Sequence, residues 1–228
     1  LIKLVSIGYI DGFYKKPRID FDTLSAHSEG LICLSACLGG EIPQQLLHGD
    51  YEGALHTALK YKQLFGKDRF YIEVQNHGMK EQLQILPLLI RLAKEADLSL
   101  VATNDCHYEK KEDAKMQNVL VCIQTNRIVG EENKMAFPTD EFYIKSYDEM
   151  AQLFSSVPSA LENTVKIADR CQVDFEYGVT KLPQFIIPNV TDNKQYFIDL
   201  CYQGLKEHYG ENPGKEIIDR LEYEIGII

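Results

Sequence analysis

Three short apolar runs, separated by stretches of helical periodicity, constrain this chain more than any other feature. Residues 30–37, Gly-Leu-Ile-Cys-Leu-Ser-Ala-Cys, are bracketed by glycines and read as a strand. Residues 69–75 alternate and read as a second strand. Residues 98–102, Leu-Ser-Leu-Val-Ala, form a third of buried character. Between them, residues 41–47 and 51–64 read as helices broken near Gly49-Asp50, with Asp50 placed to cap the second. Residues 81–96 read as a helix kinked at Pro87. The order β-α-β-α-β demands parallel strands with helical crossovers, so the expected class is an α/β layer or barrel. Sites in such folds gather at the carboxyl ends of the strands, where Cys37, Gln75, Asp105 and His107 all fall.

The segment Thr103-Asn104-Asp105-Cys106-His107 carries the most chemistry. If the third strand persists, Asp105 and His107 point the same way, because side chains alternate along a strand. A carboxylate and an imidazole so placed are a ready pair of metal ligands. On the plainer reading, Asp105 caps the next helix, residues 111–123, and His107 is an ordinary loop histidine. Cys37 ends its strand on the face of Cys33 and Ser35, and its thiolate could join the pair around Zn²⁺ or a Mn²⁺-type ion. The competing reading is a small buried residue before the Gly39-Gly40 turn. Three ligands with open positions would activate water for hydrolysis, especially of phosphodiesters. Gln75 and His77, with Glu73, are candidate supporting or substrate groups. Arg18, in the basic cluster Tyr14-Lys15-Lys16-Pro17-Arg18, is either a phosphate contact or part of a solvated loop.

Composition narrows the function classes. Hydrophobic residues make up 45% of the 228, enough to fill a sizeable core. A net charge of −10 argues against a free-standing, non-specific DNA-binding module, which needs a basic surface. No apolar stretch approaches the roughly 20 residues of a membrane span, so no membrane partner is expected. Six cysteines without a CxxC pair fit a reducing cytoplasm; Cys33 and Cys122 read as inert core thiols. Without an initiator Met, and opening inside a helical pattern, the sequence is expected to be a fragment of a longer protein.

The later residues differ in character. Residues 142–145 read as a short strand, 147–154 and 158–171 as amphipathic helices, 181–188 as an extended, proline-bounded linker, and 195–209 and 215–226 as two more helices. A boundary is expected near 180.

Together these motifs resemble the PHP (polymerase and histidinol phosphatase) domain of the bacterial DNA polymerase III alpha subunits. The resemblance rests on Asp11-Gly-Phe-Tyr-Lys-Lys-Pro-Arg-Ile-Asp20, Gly30-Leu-Ile-Cys-Leu-Ser-Ala-Cys-Leu-Gly-Gly-Glu41, Val101-Ala-Thr-Asn-Asp-Cys-His-Tyr108 and Glu141-Phe-Tyr-Ile-Lys-Ser146. Leu182-Pro-Gln-Phe185 and Arg220-Leu-Glu-Tyr-Glu224 look like the start of the palm region. The resemblance implies part of a distorted seven-stranded β/α barrel (residues 1–180), followed by a mainly helical segment (181–228). It implies metal ligands at Cys37, Asp105 and His107, and divalent ions: Zn or Mn at this site, Mg for polymerisation in the parent. It implies 3′–5′ exonuclease potential in the intact parent, with primer-template DNA, dNTPs, a sliding clamp and a proofreading subunit as partners. The family's amino-terminal His-x-His motif is missing from this sequence, so half of the metal site at most is expected here, and the fragment alone is expected to be inactive. A non-catalytic scaffold is the alternative reading. A small-molecule phosphoesterase is a third, against which the palm-like segment argues.

Overall fold

The computed structural model describes residues 1–130, 137–183 and 185–228. They divide into two compact units, Leu1–Val173 and Asp174–Ile228.

The first unit is mixed α/β. Among the described residues its sheet has three parallel strands, β1 (Cys33–Leu34), β2 (Phe70–Val74) and β3 (Ser99–Ala102), in the order β1-β2-β3. Two helices precede it, α1 (Ile2–Ile10) and α2 (Phe21–Ala26), the latter capped by Asp20, which accepts from the Thr23 amide. The β1–β2 crossover holds α3 (Glu41–Leu47) and α4 (Tyr51–Phe65); Asp50 caps α4 by accepting from the Gly53 amide at 2.9 Å. The β2–β3 crossover is α5 (Lys80–Glu95), with Pro87 in its interior. A 3₁₀ turn, Lys111–Asp113, leads into α6 (Ala114–Thr125), and α7 (Tyr147–Leu153) and α8 (Ser159–Arg170) follow.

Phe70, Ile72 and Val74 alternate along β2 into the core, where they meet Ile42, Leu46, Phe65 and Leu92. Tyr71 and Glu73 take the opposite face. The core also takes contributors that lie far away in sequence, Phe154, Ala160 and Leu161. Helix α8 packs along β3, where Asn163 Nδ2 donates to the Leu100 carbonyl at 2.8 Å. Arg170, at the end of α8, donates to the Asp68 carbonyl and to the Tyr71 hydroxyl. The second unit contains α9 (Asn193–Tyr209), capped by Asp192, and α10 (Lys215–Ile227).

Three sequence expectations need correction. The first strand is two residues long, not eight: Ala36 adopts φ +66°, which no ladder residue does, and the chain turns there. The third strand ends at Ala102, and Asp105 sits at φ +43°, so strand alternation does not relate Asp105 to His107. Residues 142–145 form no strand, only an isolated bridge between Tyr143 and Tyr108. Of the predicted linker at 181–188, Gln184 lies outside the described residues. The other described residues between α8 and α9 carry neither helix nor strand. Among the described residues no helix is long and apolar enough to cross a membrane.

Candidate functional site

Because all three strands run parallel, their carboxyl ends share one edge, and the predicted residues assemble there unequally. After β1 the Ser35 amide still donates to the Tyr71 carbonyl at 3.0 Å before the chain reverses. Gly40 permits that reversal, since a Cβ there would lie 2.4 Å from the Ser35 carbonyl oxygen. Cys37 therefore stands exposed in a turn and does not share a face with Cys33 and Ser35, as strand alternation would require. It lines a crevice with Glu73, Gln75 and Pro43 whose free volume of about 10 Å³ holds one water at most.

Gln75 is tied into a polar cluster. Its Nε2 donates to Glu73 Oε1 at 3.0 Å and to Thr103 Oγ1 at 3.1 Å, and the Thr103 hydroxyl donates to the same Glu73 oxygen. The Glu73 amide in turn donates to Ser35 Oγ. This cluster links the carboxyl ends of all three strands. Burial, with Glu73 nearby, pushes the Cys33 thiol up to about 11, which suits an unreactive thiol.

Asp105 and His107 do meet. Asp105 Oδ1 lies 3.4 Å from His107 Nε2, with the two side chains 42% and 37% exposed. What brings them together is a loop templated by residues 141–145. The His107 amide donates to the Phe142 carbonyl at 2.8 Å, and the His107 ring tilts against Phe137. Asn104 Nδ2 and Cys106 Sγ both donate to the Tyr143 carbonyl. Lys145, only 2% exposed, donates from Nζ to Asn104 Oδ1 at 3.3 Å and pairs with Glu141 at 3.2 Å. His77 is fully buried, with both ring nitrogens engaged, to Asn104 O and to Gln82. Asn104 and Lys145 are the residues that sequence reasoning passed over. Their only signal was membership of the two motifs, residues 101–108 and 141–146, that meet here.

Arg18 stands elsewhere. Its guanidinium lies over the Tyr14 ring, 5.4 Å from the centroid. It borders an apolar groove of about 450 Å³ with Leu4, Val5, Ile19 and Leu31, which none of Cys37, Gln75, Asp105 and His107 lines.

Two carboxylates beside this loop are held below the usual range. Lys111 chiefly, and then Lys145, lower Glu141. The Tyr143 hydroxyl chiefly, with the Ser146 amide and hydroxyl that complete the α7 cap, lowers Glu149 to about 2. A carboxyl depressed on folding adds stability that is present above its unfolded value of 4.5 and is lost as pH falls through the folded value. The urea midpoint, followed by circular dichroism, is therefore expected to hold from pH 7 to about 5 and to fall between about 4.5 and 2. Glu149→Gln should flatten that fall; an unchanged slope would contradict the assignment.

Asp105 and His107 suit a divalent ion, one hard oxygen and one borderline nitrogen on adjacent sides of a half-open loop. Cys37 does not join them. Among the described residues no three His, Cys, Asp or Glu side chains group closely enough to hold an ion. The pair thus fits as two donors, and an ion would need at least one more.

The sequence is similar to proteins of known family along its whole length. Residues 1–77 match the PHP domain family, a match that ends before Asp105 and His107. The whole chain is similar to the DNA polymerase III subunit alpha of Treponema pallidum, 44% identical over 229 residues and 20% of that protein's length. It is also similar to that of Borreliella burgdorferi, at 44% over 231 residues, the whole chain and 20% of that protein. The same subunit of Thermus aquaticus is 40% identical over 92% of this chain and 18% of its own length. The chain spans about a fifth of the length of the curated relatives it matches. The likeness thus runs along the whole chain to part of the DNA polymerase III alpha subunits, and its first 77 residues are similar to the PHP domain family.

Proposed function

We propose that this chain serves DNA replication as part of a DNA-directed DNA polymerase, the alpha subunit of DNA polymerase III. The observation that carries this is the 44% identity to two such subunits along the entire chain. On this reading residues 1–180 are the later part of a PHP domain and residues 181–228 lead into the polymerase palm. The three parallel strands are then part of a distorted seven-stranded β/α barrel. The working partners are primer-template DNA, dNTPs, a sliding clamp and a proofreading subunit, in the cytoplasm, with Mg²⁺ serving polymerisation.

Within the PHP part, Asp105 and His107 are proposed as ligands of a Zn²⁺ or Mn²⁺ ion, with Cys37 a third if its turn closes on them. Such an ion, when bound, activates water and neutralises phosphate charge for 3′–5′ phosphodiester cleavage. The residues in hand contribute placement. Asp105 and His107 present two donors on one open loop, and the Glu73–Gln75–Thr103 cluster fixes the strand ends behind them; Arg18, which borders a separate groove, takes no part in that placement.

The test uses the full-length subunit and an Asp105→Ala/His107→Ala variant. Primer extension should persist in both. Bound metal and removal of a mispaired 3′ nucleotide should fall more than about tenfold in the variant. Equal metal and equal excision would sink the ligand roles. One observation favours a second reading, a scaffold without catalysis: only two of the three proposed donors meet among the described residues. Under that reading the variant loses stability or partner binding and no excision.

A further inference from the structure

We infer that Asn104, clamped between His77 and Lys145, is the positioning residue that sets the Asp105–His107 pair. The inference rests on the proposed reading of that pair as ligands and adds to it the group that builds their geometry.

The clamp follows from hydrogen-bond chemistry. The His77 amide donates to Gln82 Oε1 at 2.7 Å, which fixes the Gln82 side chain with its NH₂ toward the His77 ring. Gln82 Nε2 donates to His77 Nδ1 at 2.8 Å, so Nδ1 is an acceptor and the ring proton sits on Nε2. Nε2 then donates to the Asn104 carbonyl at 2.7 Å. The ring cannot swing, because it is fully buried and stacks on Phe142 with centroids 4.0 Å apart and planes 12° from parallel.

From the other side, the Asn104 side chain is taken up at both ends. Nδ2 donates to the Tyr143 carbonyl, and Oδ1 accepts from the buried Lys145. Lys145 is itself fixed by the Glu141 carboxylate and carbonyl. Backbone carbonyl, amide nitrogen and amide oxygen of one residue are thus all held. The next residue, Asp105, takes φ +43°, a left-handed conformation that Asp adopts more readily than most residues with a Cβ, and the clamp on Asn104 fixes the chain just before it. That turn, with the His107 amide bonded to Phe142, carries His107 Nε2 back to within 3.4 Å of Asp105. Asparagine suits 104 because the clamp uses a donor and an acceptor on two separate atoms of one short side chain; alanine supplies neither, an ionised acid only acceptors, and serine carries both on a single oxygen.

The test titrates the full-length subunit with Co²⁺ and follows the visible absorption of the bound ion. The band counted is the part that Asp105→Ala/His107→Ala removes, which separates this site from other metal sites of the subunit. Asn104→Ala should weaken Co²⁺ binding to that site about 10- to 100-fold and shift the band. The metal-free melting temperature, which a merely structural role would move, should stay close to that of the parent. If Asn104→Ala does not fold, Asn104→Ser decides by the same criteria. Parent-like affinity and an unshifted band in these variants, with the band still removed by the double variant, would overturn the inference and leave the ligand reading standing. A double variant that removes no band would overturn both.

Discussion

Phe154→Ala is expected to lower the free energy of unfolding by about 3–5 kcal/mol, read as a fall in the urea midpoint at unchanged slope. Phe154 is 1% exposed and lies in the main core with Ala160 and Leu161, which start α8. It is no longer helical: as the residue after α7 it adopts φ −114° and ψ 27°. Its amide donates to Met150 and its carbonyl accepts from Val157. Alanine keeps both backbone bonds, so the loss measured is packing: the transfer term of the ring and the cavity it leaves. Phe175, 71% exposed, is the internal control. Phe175→Ala should change stability by no more than about 0.5 kcal/mol. Similar effects from the two would mean that Phe154 does not anchor the core.

Glu141→Gln is expected to cost about 3 kcal/mol. The reason is the charge left behind: Lys145, 2% exposed, has its carboxylate partner in Glu141, and removing one member of a buried pair strands the other. The figure sits at the low end of the range for buried pairs because Glu141 is 28% exposed, and water reaches it. Lys111, which also pairs with Glu141, is half exposed and loses little. A double variant, Glu141→Gln with Lys145→Met, should recover part of the loss, since no isolated charge then remains. If the double variant is as unstable as the sum of the single ones, the pair is not coupled.

The parallel crossover pattern and nearly all the helices were legible in the sequence because their signals are local. Asp50 before a helical run, the alternation of residues 70–74 and the apolar stripe of α5 each report on a few neighbouring residues. The failures are places where distant segments decide the backbone. The turn at Ala36 is the local exception: Gly40, four residues on, closes on the Ser35 carbonyl, and the Gly39-Gly40 pair marked a turn whose start the apolar run concealed. Asp105 and His107 were expected to face one way as neighbours on a strand. They meet instead through a loop held by Phe142, Tyr143 and Lys145, about 40 residues on. The same non-locality hid Asn104 and Lys145.

The seating of α8 on β3 also has a temporal consequence. Asn163 reaches Leu100 across 63 residues, and Arg170 reaches Asp68 across 102. A ribosome adding about 5–20 residues per second needs on the order of several seconds to make the stretch from Leu100 to Asn163. For a like interval after β3 leaves the exit tunnel, β2 and β3 stand outside it with no α8 to cover them. Newly made chains should then bind holdase chaperones best when synthesis pauses after β3 has emerged and before α8 has, and weakly once Arg170 has emerged.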